Sequence, residues 1–442
     1  MNYTKIAINF IFILTTTLVV AQKTLSKQDA VAIALENNYD IKIVNNQVAA
    51  AKNSSSIYNS GYLPTLSANG GAAYKDGDNE NEFEDGSVQD NATTTNSYNA
   101  SVGVNYLLFD GLGRMYNYKK LQELYNLSEI QAQQVMENTL LQLLLSYYDV
   151  ARLTENQSNQ SKSLAISKSR FLREQYNYEY GQNTQLDVLN SEVDVNNDSI
   201  AYLSIHNDLN NAKRNLNIVL GRDISIDFKV DTTVNYDITL TYSKLLSSAK
   251  ANNKILLQAE KNIQLRDFDL KINKSNWMPV IGVNGGYGWN NLDINSNTSN
   301  AFSLASQTSR GINAGVNLSW NIFDGGITKT RVTDAKIAMD NSNIQKEQIA
   351  QDLERNVANA WETYQNALFI LQAEQKNVDT NKRNFSRTTE QFKLGQIISV
   401  EFRLAQVNLL NAVNNYNQAK YVAKLAELKL LQLSGEILGA DY

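Results

Sequence analysis

The stretch GINAGVNLSWNIFDGG, residues 311–326, decides the fold. From residue 312 to residue 322, apolar side chains occupy every second position. Asparagine, glycine and serine occupy the positions between them. Alternation with a period of two places one kind of side chain on each face of a β-strand. The turn sequence Phe323-Asp324-Gly325 follows the strand directly. The stretch therefore predicts a strand with one apolar and one polar face that ends in a tight turn.

The same organisation occurs once more, 214 positions earlier in the chain. Phe109-Asp110-Gly111 follows a second alternating stretch, residues 100–108. Further matching pairs at nearly the same offset are Pro64 with Pro279, Gly181 with Gly395 and Gly221 with Gly435. A period this long indicates a duplicated unit of domain size rather than a solenoid of short repeats.

Each copy also contains an earlier, weaker alternating stretch. The predicted strand pairs are 65–74 with 100–108, and 280–290 with 311–322. Strands of about ten residues with one apolar face and one face of Asn, Ser and Gly are typical of outer-membrane proteins. A half-buried sheet of a soluble protein has the same alternation. The polar segments between the paired strands, 75–90 and 291–309, are predicted to be loops outside the cell.

After each turn sequence comes a long stretch without glycine or proline. These stretches end at Gly181 and Gly395, and both are rich in strong helix formers with apolar residues three and four positions apart. At 1.5 Å per residue, each predicts a helix roughly 100 Å long. A return helix follows each glycine, with Thr184 and Ser399 as the predicted N-caps. Long helical hairpins are thus predicted over 113–220 and 327–433.

The N-terminus has the features of a secretory signal peptide. Lys5 supplies the positive charge, residues 6–20 the apolar stretch, and Ala21 the end of a small-residue cleavage site. The complete predicted organisation is a signal peptide at 1–21, a first repeat at 22–221, an equatorial linker region at 222–251, a second repeat at 252–435 and a tail at 436–442.

Composition argues against an enzyme. The 442 residues include no cysteine and one histidine, the net charge is −5, and the pI is about 5.3. The sequence contains neither a recognisable nucleophile–base pair nor a phosphate-binding loop. No catalytic group, cofactor, metal site or nucleic-acid partner is therefore predicted.

Four strands per chain are too few for a membrane barrel of one subunit. Bacterial barrels begin at eight strands, and an open sheet edge is not tolerated in lipid. If the strands lie in a membrane, several subunits must share one barrel. Strand count by itself permits eight strands in a dimer or twelve in a trimer.

At this point the sequence resembles the TolC-like outer-membrane efflux protein family over essentially the whole mature chain. The motifs that carry the resemblance are Leu63-Pro64-x-Leu66, the two Phe-Asp-Gly turns, the reversal Gly181-x-x-Thr184-x-x-Asp187-Val188-Leu189, its counterpart Gly395-x-x-x-Ser399-x-Glu401-x-x-Leu404, and the helix ends Leu216-x-x-x-Leu220-Gly221 and Leu431-x-x-x-Gly435. Their order and duplication are more specific than any one of them.

The resemblance implies a membrane α+β fold. Three identical subunits would share a twelve-stranded barrel in outer-membrane lipid, above a periplasmic tunnel of antiparallel helices. It also implies a passive channel that works with a periplasmic adaptor protein and an inner-membrane transporter, in efflux or in type I secretion. The alternative from a different class is a secreted coiled-coil adhesin or envelope scaffold.

The resemblance places functional residues at the hairpin tips. The predicted tip aperture contains Asp187, Asn190, Glu401 and Arg403, with Asp187 and Glu401 as candidates for an acidic ring. A carboxylate in the first turn of a helix is also favoured by the helix dipole alone. Relatives place a further carboxylate where Asn190 and Leu404 stand, and a basic latch residue where Ile397 stands, so Arg403 is the candidate substitute.

The residues beside the two reversals form a second predicted group. Tyr178 and Phe392 each precede a reversal glycine by three positions, which makes them candidates for adaptor docking or for packing within the subunit. Gly181 and Gly395 are predicted turn residues in either case.

Overall fold

A computed structural model describes residues 24–296 and 304–440. The predicted signal peptide therefore lies outside the described residues. The helices are α1 (Lys27–Asn37), α2 (Tyr39–Ser54), α3 (Gly113–Glu179), α4 (Gln185–Val219), α5 (Tyr242–Asn252), α6 (Lys254–Ser275), α7 (Ile327–Lys393) and α8 (Ser399–Leu433). The strands are β1 (Thr24–Leu25), β2 (Thr65–Glu82), β3 (Val88–Phe109), β4 (Lys229–Val230), β5 (Val280–Ser296) and β6 (Ser306–Ser319).

The chain divides into two compact units, each assembled from both halves of the sequence. Of the described residues, the first unit contains 24–47, 129–258 and 347–440, and the second contains 48–128, 259–296 and 304–346. Within the part of the chain that the structure describes, no helix is both long enough and apolar enough to cross a membrane.

The second unit contains an antiparallel sheet with the strand order β2-β3-β5-β6. Its register aligns the apolar positions across neighbouring strands. Val102 lies opposite Ala68 on one side and Tyr287 on the other, and Tyr287 lies opposite Ile312. Because side chains alternate along each strand, this register collects the apolar residues of all four strands on one face. Asparagine, serine and glycine predominate on the other face, although Gly70 and Gly285 lie on the apolar face.

All four strands differ in length from the prediction. β2 continues eight residues past Tyr74 to Glu82, and β3 already begins at Val88, so most of the predicted loop 75–90 is strand. β5 likewise reaches Ser296, and β6 begins at Ser306 but ends at Ser319. The prediction of a loop at 75–90 was wrong for most of its residues because it relied on polarity. Of the predicted loop 291–309, the ends are strand, and residues 297–303 lie outside the described residues. Backbone pairing between two adjacent strands continues past the last apolar residue when the turn is tight.

Two short helix pairs repeat the same hydrogen-bonded corner. At the break between α1 and α2, the Asn38 Oδ1 atom accepts hydrogen bonds from the backbone of Asp40 and Ile41 at 2.9 and 3.2 Å. Its Nδ2 atom donates to the carbonyl of Val219, at the end of α4, at 2.8 Å. One buried amide therefore caps α2 and also satisfies a terminal carbonyl of the long hairpin.

The second copy of this corner lies between α5 and α6. Asn253 Oδ1 accepts from the backbone of Ile255 and Leu256 at 3.1 and 3.2 Å, and its Nδ2 donates to the carbonyl of Leu433 at 3.0 Å. Since α5 matches α1 in this arrangement, the second repeat begins near residue 242. The predicted boundary at 252 placed α5 in the linker region, because the motifs that revealed the duplication start later in each repeat.

The largest apolar core of the first unit surrounds two adjacent tyrosines of α3. Tyr147 and Tyr148 are fully buried, and the Tyr147 hydroxyl donates to the carbonyl of Leu25 at 2.7 Å and accepts from the backbone of Asp231 at 3.0 Å. This core also takes in leucines in or directly after the two return helices: Leu209, Leu216, Leu220, Leu428 and Leu431. The tyrosine hydroxyl thus links the short strands β1 and β4 to the long helix.

Replacing either corner asparagine by alanine is expected to destabilise the protein. Each substitution leaves a part-buried helix-terminal carbonyl and two backbone amides without their side-chain partner, at a cost of about 1–3 kcal/mol. The midpoint of thermal unfolding, followed by circular dichroism in detergent, should fall for Asn38→Ala and for Asn253→Ala. Asn366→Ala, at an exposed position of α7, is the control. Equal midpoints for all three variants would contradict the role of the corners.

A buried carboxyl group predicts a pH dependence of stability. Glu137 on α3 is 3% exposed, and its nearest cation, the Nζ atom of Lys254, lies 3.9 Å from Oε1. Burial raises the pKa of Glu137 to about 7, although the positive charge of Lys254 opposes the rise. Folding therefore favours the protonated acid. The resulting stabilisation is complete below the ordinary carboxyl pKa and is lost as the pH rises through about 7.

Glu137→Gln is accordingly expected to stabilise the protein in alkaline buffer, because the amide mimics the protonated acid. The gain should reach at most about 3 kcal/mol at pH 8 and should disappear near pH 4. Thermal midpoints across this pH range test the prediction, with Glu362→Gln at an exposed position of α7 as the control. A gain that is independent of pH would contradict it.

Candidate functional site

Both long hairpins reverse through the same backbone turn. Gly181 and Gly395 have φ angles of +72° and +71°, in the left-handed region that glycine adopts without strain. At the first reversal the amide of Gly181 donates to the carbonyl of Tyr178, and the amide of Gln182 donates to the carbonyl of Asn177. The second reversal repeats this pair of bonds after α7. These bonds satisfy the terminal carbonyls of each long helix and fix where the chain turns back.

The two return helices begin differently. Thr184 caps α4 as predicted: its backbone N–H and hydroxyl donate to the Asp187 carboxylate at 3.0 and 2.7 Å, and its hydroxyl accepts from the Asp187 amide at 3.3 Å. The prediction that Ser399 caps α8 was wrong. Ile398 occupies the N-cap position and forms no side-chain capping bond. The reversal turn sets the cap three residues after the glycine, whichever side chain stands there.

The predicted aperture residues therefore fall into two groups. Asp187 is engaged in the capping box of α4, so a local structural role accounts for its position. Asn190 and Glu401 are exposed to solvent, on α4 and α8. Arg403 does not belong with them. Its side chain is 17% exposed and forms an ion pair with Asp198 of α4.

Arg403 is held by carboxylates of the first hairpin. Its two terminal nitrogens donate to the two oxygens of Asp198 at 2.8 Å each, in a bidentate pair. Its Nε atom lies 3.4 Å from Asp194, and Nη1 also donates to the hydroxyl of Ser167 at 3.1 Å. The guanidinium thus connects α8 to both α3 and α4.

A second arginine completes this network. Arg170 of α3 forms an ion pair with Asp194 and donates to the carbonyl of Ser399 in the first turn of α8, at 3.2 Å. Gln406, one turn beyond Arg403, donates to the carbonyl and hydroxyl of Ser163 at 2.9 and 3.0 Å. We call the set Ser163, Ser167, Arg170, Asp194, Asp198, Arg403 and Gln406 the tip network. Its two arginines and two aspartates balance in charge.

The Asp198 carboxyl group of the tip network has a lowered pKa. Burial by itself would raise the pKa of Asp198, but hydrogen bonds from Arg403 and Ser167, together with the charges of Arg403 and Arg170, hold that pKa below its usual value. The stabilisation from this carboxylate is therefore present above the ordinary carboxyl pKa. It is lost only in stronger acid, as the pH falls through the lowered pKa.

The two aromatic residues before the reversals have different surroundings. Phe392 is buried: its ring stacks on Phe402 with the centroids 4.6 Å apart, and the guanidinium of Arg173 lies over it at 4.5 Å. Arg173 also donates to the Phe392 carbonyl at 3.0 Å. Tyr178 is exposed. Packing within the subunit accounts for Phe392, whereas the ring of Tyr178 is accessible to a partner.

The strand–helix turns carry helix caps. Asp110 accepts a hydrogen bond from the backbone of Arg114 at 2.8 Å, and Asp324 accepts from the backbone and the hydroxyl of Thr328 at 2.8 and 2.6 Å. Each carboxylate therefore caps the long helix that follows it. Of the neighbouring residues, Gly111 and Gly325 have positive φ angles, Phe109 is the last residue of β3, and Phe323 is exposed.

Sequence reasoning missed most of the tip network, although a signal for it was present. Gln160, Ser163, Ser167, Arg170 and Glu174 recur three and four positions apart on α3, and all are buried. Apolar residues at this spacing would mark a helix face packed against the core. Polar residues at the same spacing fit either a hydrated face or a face that packs through hydrogen bonds, and the second kind requires complementary partners.

Three comparisons with known proteins agree with this architecture. The outer membrane efflux protein BepC of Brucella suis is 20% identical over 76% of this chain and 72% of its own. The outer membrane protein TolC of Vibrio cholerae is 24% identical over 69% of each chain. The crystal structure of the Campylobacter jejuni CmeC outer membrane channel superposes with a TM-score of 0.76 at 16% identity, covering 93% of this chain and 86% of that one.

The family profile of outer membrane efflux proteins matches residues 30–222 and 245–436, one match in each repeat. The chain belongs to the outer membrane efflux protein family. The predicted family resemblance is thereby confirmed, and the long helices and paired strands are those of an outer-membrane channel subunit.

Removing one side of the tip network is expected to loosen the start of α8. Arg403→Gln leaves Asp194 and Asp198 without their shared cation, and breaking a buried pair costs about 3–5 kcal/mol. Hydrogen exchange of the backbone amides of residues 402–409, measured by mass spectrometry, should accelerate strongly. The double variant Arg403→Gln, Asp198→Asn should recover part of the protection, because it leaves no unpaired charge on that side.

Lys393→Gln is the matched control for this experiment. It breaks an exposed ion pair with Glu390 at the end of α7, on the other side of the same reversal. Loss of such an exposed pair costs at most about 1 kcal/mol. Equal exchange rates for Arg403→Gln and Lys393→Gln would show that the network does not hold the tip.

Proposed function

We propose that three copies of this chain form an outer-membrane channel that passively conducts cargo received from an inner-membrane transporter and a periplasmic adaptor protein. Family membership is the observation that carries the proposal. The channel serves efflux or type I secretion, with the shared barrel in the membrane and the helical hairpins in the periplasm.

The free edges of the sheet support a shared barrel. β2 and β6 form its two edges, so each presents a row of backbone N–H and C=O groups on its outer side. In lipid such groups need partners, because each unsatisfied group costs several kcal/mol. Pairing β2 of one copy with β6 of the next satisfies them, and three copies close a barrel of twelve strands.

The surface chemistry of the sheet supports the same placement. One face carries exposed aliphatic and aromatic side chains, among them Val102, Tyr287, Ile312 and Val316. An apolar face of this size on a protein surface marks contact with lipid or another apolar surface. The opposite face, with its asparagines, serines and glycines, suits the water-filled interior of a channel.

An apolar stripe on α4 supports contact between subunits. Leu186, Val193 and Ile200 lie seven residues apart, Leu203 continues the stripe, and all are more than half exposed. Apolar residues at heptad spacing form the seam of a coiled coil between helices. A neighbouring copy of the chain covers this stripe in the proposed trimer.

The tip network supports a closed resting tip. It fixes the first turns of α8 against the first hairpin through Arg403, Arg170 and Gln406, so the helix that begins at the reversal cannot swing away without breaking charged hydrogen bonds. We assign opening to a partner that engages the exposed tip, where Tyr178 and Leu394 are accessible.

Membrane extraction and mass measurement test the proposal directly. The protein is expected to stay with the membranes during carbonate and high-salt washes and to require detergent for release. Light scattering in mild detergent should give a protein mass three times that of the mature chain. Release by carbonate alone, together with a monomeric mass, would favour the secreted adhesin or scaffold instead.

A further inference from the structure

The two β-hairpins of the sheet pair in the same register. In the first repeat Thr65 lies opposite Asn105, and in the second Val280 lies opposite Ser319. The first strands are thus related by 215 positions and the second strands by 214, the same offsets that separate the duplicated proline and Phe-Asp-Gly motifs. The duplication has therefore preserved strand pairing to the residue. These offsets convert any pair in one repeat into the equivalent pair in the other.

The pairing of β3 with β5 joins the two repeats inside one chain. It brings the second strand of one repeat beside the first strand of the next, with Asn96 opposite Asp293. In the proposed trimer, β6 and β2 of the neighbouring copy stand in the same relation, since β6 is the second strand of its repeat and β2 is the first of its own. The offsets convert Asn96 into Arg310 and Asp293 into Asp78.

Resting on the proposed trimer, we propose that β6 of one copy pairs with β2 of the next in the register of β3 with β5. Arg310 then lies opposite Asp78 of the neighbouring copy, and an ion pair joins each two adjacent subunits. The partner is a second copy of this chain, and the surface that it recognises is the outer edge of β2.

The proposed register keeps the two faces of the sheet continuous across the subunit boundary. Apolar side chains occupy even-numbered positions in both edge strands, among them Leu66 and Tyr74 in β2 and Ile312 and Leu318 in β6. In this register each even-numbered residue of β6 meets an even-numbered residue of β2. A shift by one residue would instead place the apolar side chains of β6 beside the polar face of β2. Shifts by an odd number of residues are therefore excluded.

The apolar face of β2 becomes acidic beyond Tyr74. Carboxylates occupy the next four positions on that face, and all four are exposed: Asp76, Asp78, Glu80 and Glu82. Neighbours in this carboxylate row are about 7 Å apart, since two residues of a strand span that distance, so their charges repel each other. The single cation of the hairpin, Lys75, lies on the other face. The edge of β2 therefore favours a partner that brings a positive charge.

Arg310 is the one charged residue of the described strand β6. It is exposed, lies opposite Trp289 on the apolar face, and forms no hydrogen bond or ion pair with any residue that the structure describes. In the proposed register it faces Asp78 and has Asp76 and Glu80 on its two diagonals, within reach of a long side chain. A guanidinium can bind carboxylates in several directions because it carries five N–H donors. Arg310 thus relieves the repulsion along the carboxylate row of the neighbouring copy.

Disulfide cross-linking in membranes tests the register. The chain contains no cysteine, so Val316→Cys with Ala72→Cys supplies the only two thiols of each subunit. The offsets place these positions opposite each other, as Val102 lies opposite Tyr287 inside the chain. Opposite Cβ atoms lie about 4.5–5.5 Å apart, which a disulfide can bridge with a small adjustment. Oxidation is expected to give a covalent trimer on denaturing gels, because three identical links close the ring.

Two variants with shifted thiols are the matched controls. Val316→Cys with Ala68→Cys moves one thiol by four residues, about 13 Å, along the same face of β2. Val316→Cys with Tyr74→Cys moves it by two residues in the other direction. Both are expected to form much less covalent trimer than the pair with Ala72→Cys after equal oxidation times. The most efficient cross-linking at either shifted position would overturn the proposed register.

Exchanging the two charges tests the ion pair. Arg310→Asp and Asp78→Arg each place like charges opposite one another across the subunit boundary. Each is therefore expected to lower, by several degrees, the temperature at which the trimer dissociates on semi-native gels. The double variant Arg310→Asp, Asp78→Arg recreates the pair in reverse and should recover a large part of the loss. The recovery should be largest at low ionic strength, because salt screens exposed charges.

Asp90→Arg is the matched control for the charge exchange. Asp90 lies opposite Glu80 on the same face of the hairpin, but on β3, one strand away from the edge that meets the neighbouring copy. This substitution makes the same change of charge, and combining it with Arg310→Asp should not recover the dissociation temperature. A recovery equal to that given by Asp78→Arg would show a general charge effect and would overturn the ion pair.

The outcomes distinguish the register from the trimer itself. If light scattering gives a trimeric mass but cross-linking is most efficient at position 68 or 74, the proposed register fails and the trimer stands. If Val316→Cys with Ala72→Cys gives a covalent trimer but the charge exchange recovers nothing, the ion pair fails and the register stands. A monomeric mass in mild detergent, with no cross-linked product from any variant, would reject the proposed trimer together with this interface.

Discussion

The glycine-centred turn that ends each long helix is the constraint on which the arrangement of the tip depends. Gly181 and Gly395 take the same left-handed conformation, and the same two backbone hydrogen bonds follow each of them. This turn fixes the residue at which the return helix begins and therefore its rotation about its own axis. A helix that began one residue later would rotate by about 100° and turn Arg403 away from Asp198. The ion pairs at the tip are a consequence of backbone geometry.

The duplication preserved backbone geometry and changed side-chain chemistry. Asn38 and Asn253 form the same corner in both repeats, because each satisfies backbone groups that any sequence would leave exposed at that place. At the reversals, by contrast, the first return helix has a capping box, whereas the second begins at Ile398 without a side-chain cap. The second helix is fixed instead by arginines and a glutamine that reach across to the first hairpin. The first return helix is stabilised by its own capping box, whereas the second is stabilised by side-chain contacts with the first hairpin.

The sequence predictions were accurate where a feature depends on residues that are close together in the chain, and less accurate where it depends on distant ones. The strand–helix turns, the reversal glycines and the Thr184 cap depend on neighbours within a few residues, and each is found at its expected place. Strand ends were wrong because hydrogen-bonded pairing between adjacent strands continues through polar residues such as Asp76, which a pattern of apolar residues does not register. The Ser399 cap was wrong because the reversal turn, and not the nearest suitable side chain, sets the first helical residue.

The sequence by itself determined the duplicated plan, the long helices, the alternating strands and the family. These follow from periodicity and from glycine and proline positions, which act through local backbone preferences. Only the tertiary structure decided which side of each helix faces inward at the tip. Arg403 meets Asp198 across 205 positions of sequence, and their contact depends on the register between two helices that pack through polar side chains. Polar residues fit either a buried network or a hydrated surface, so the residue types of α8 did not distinguish Gln406, which is buried, from Asn408, which is exposed.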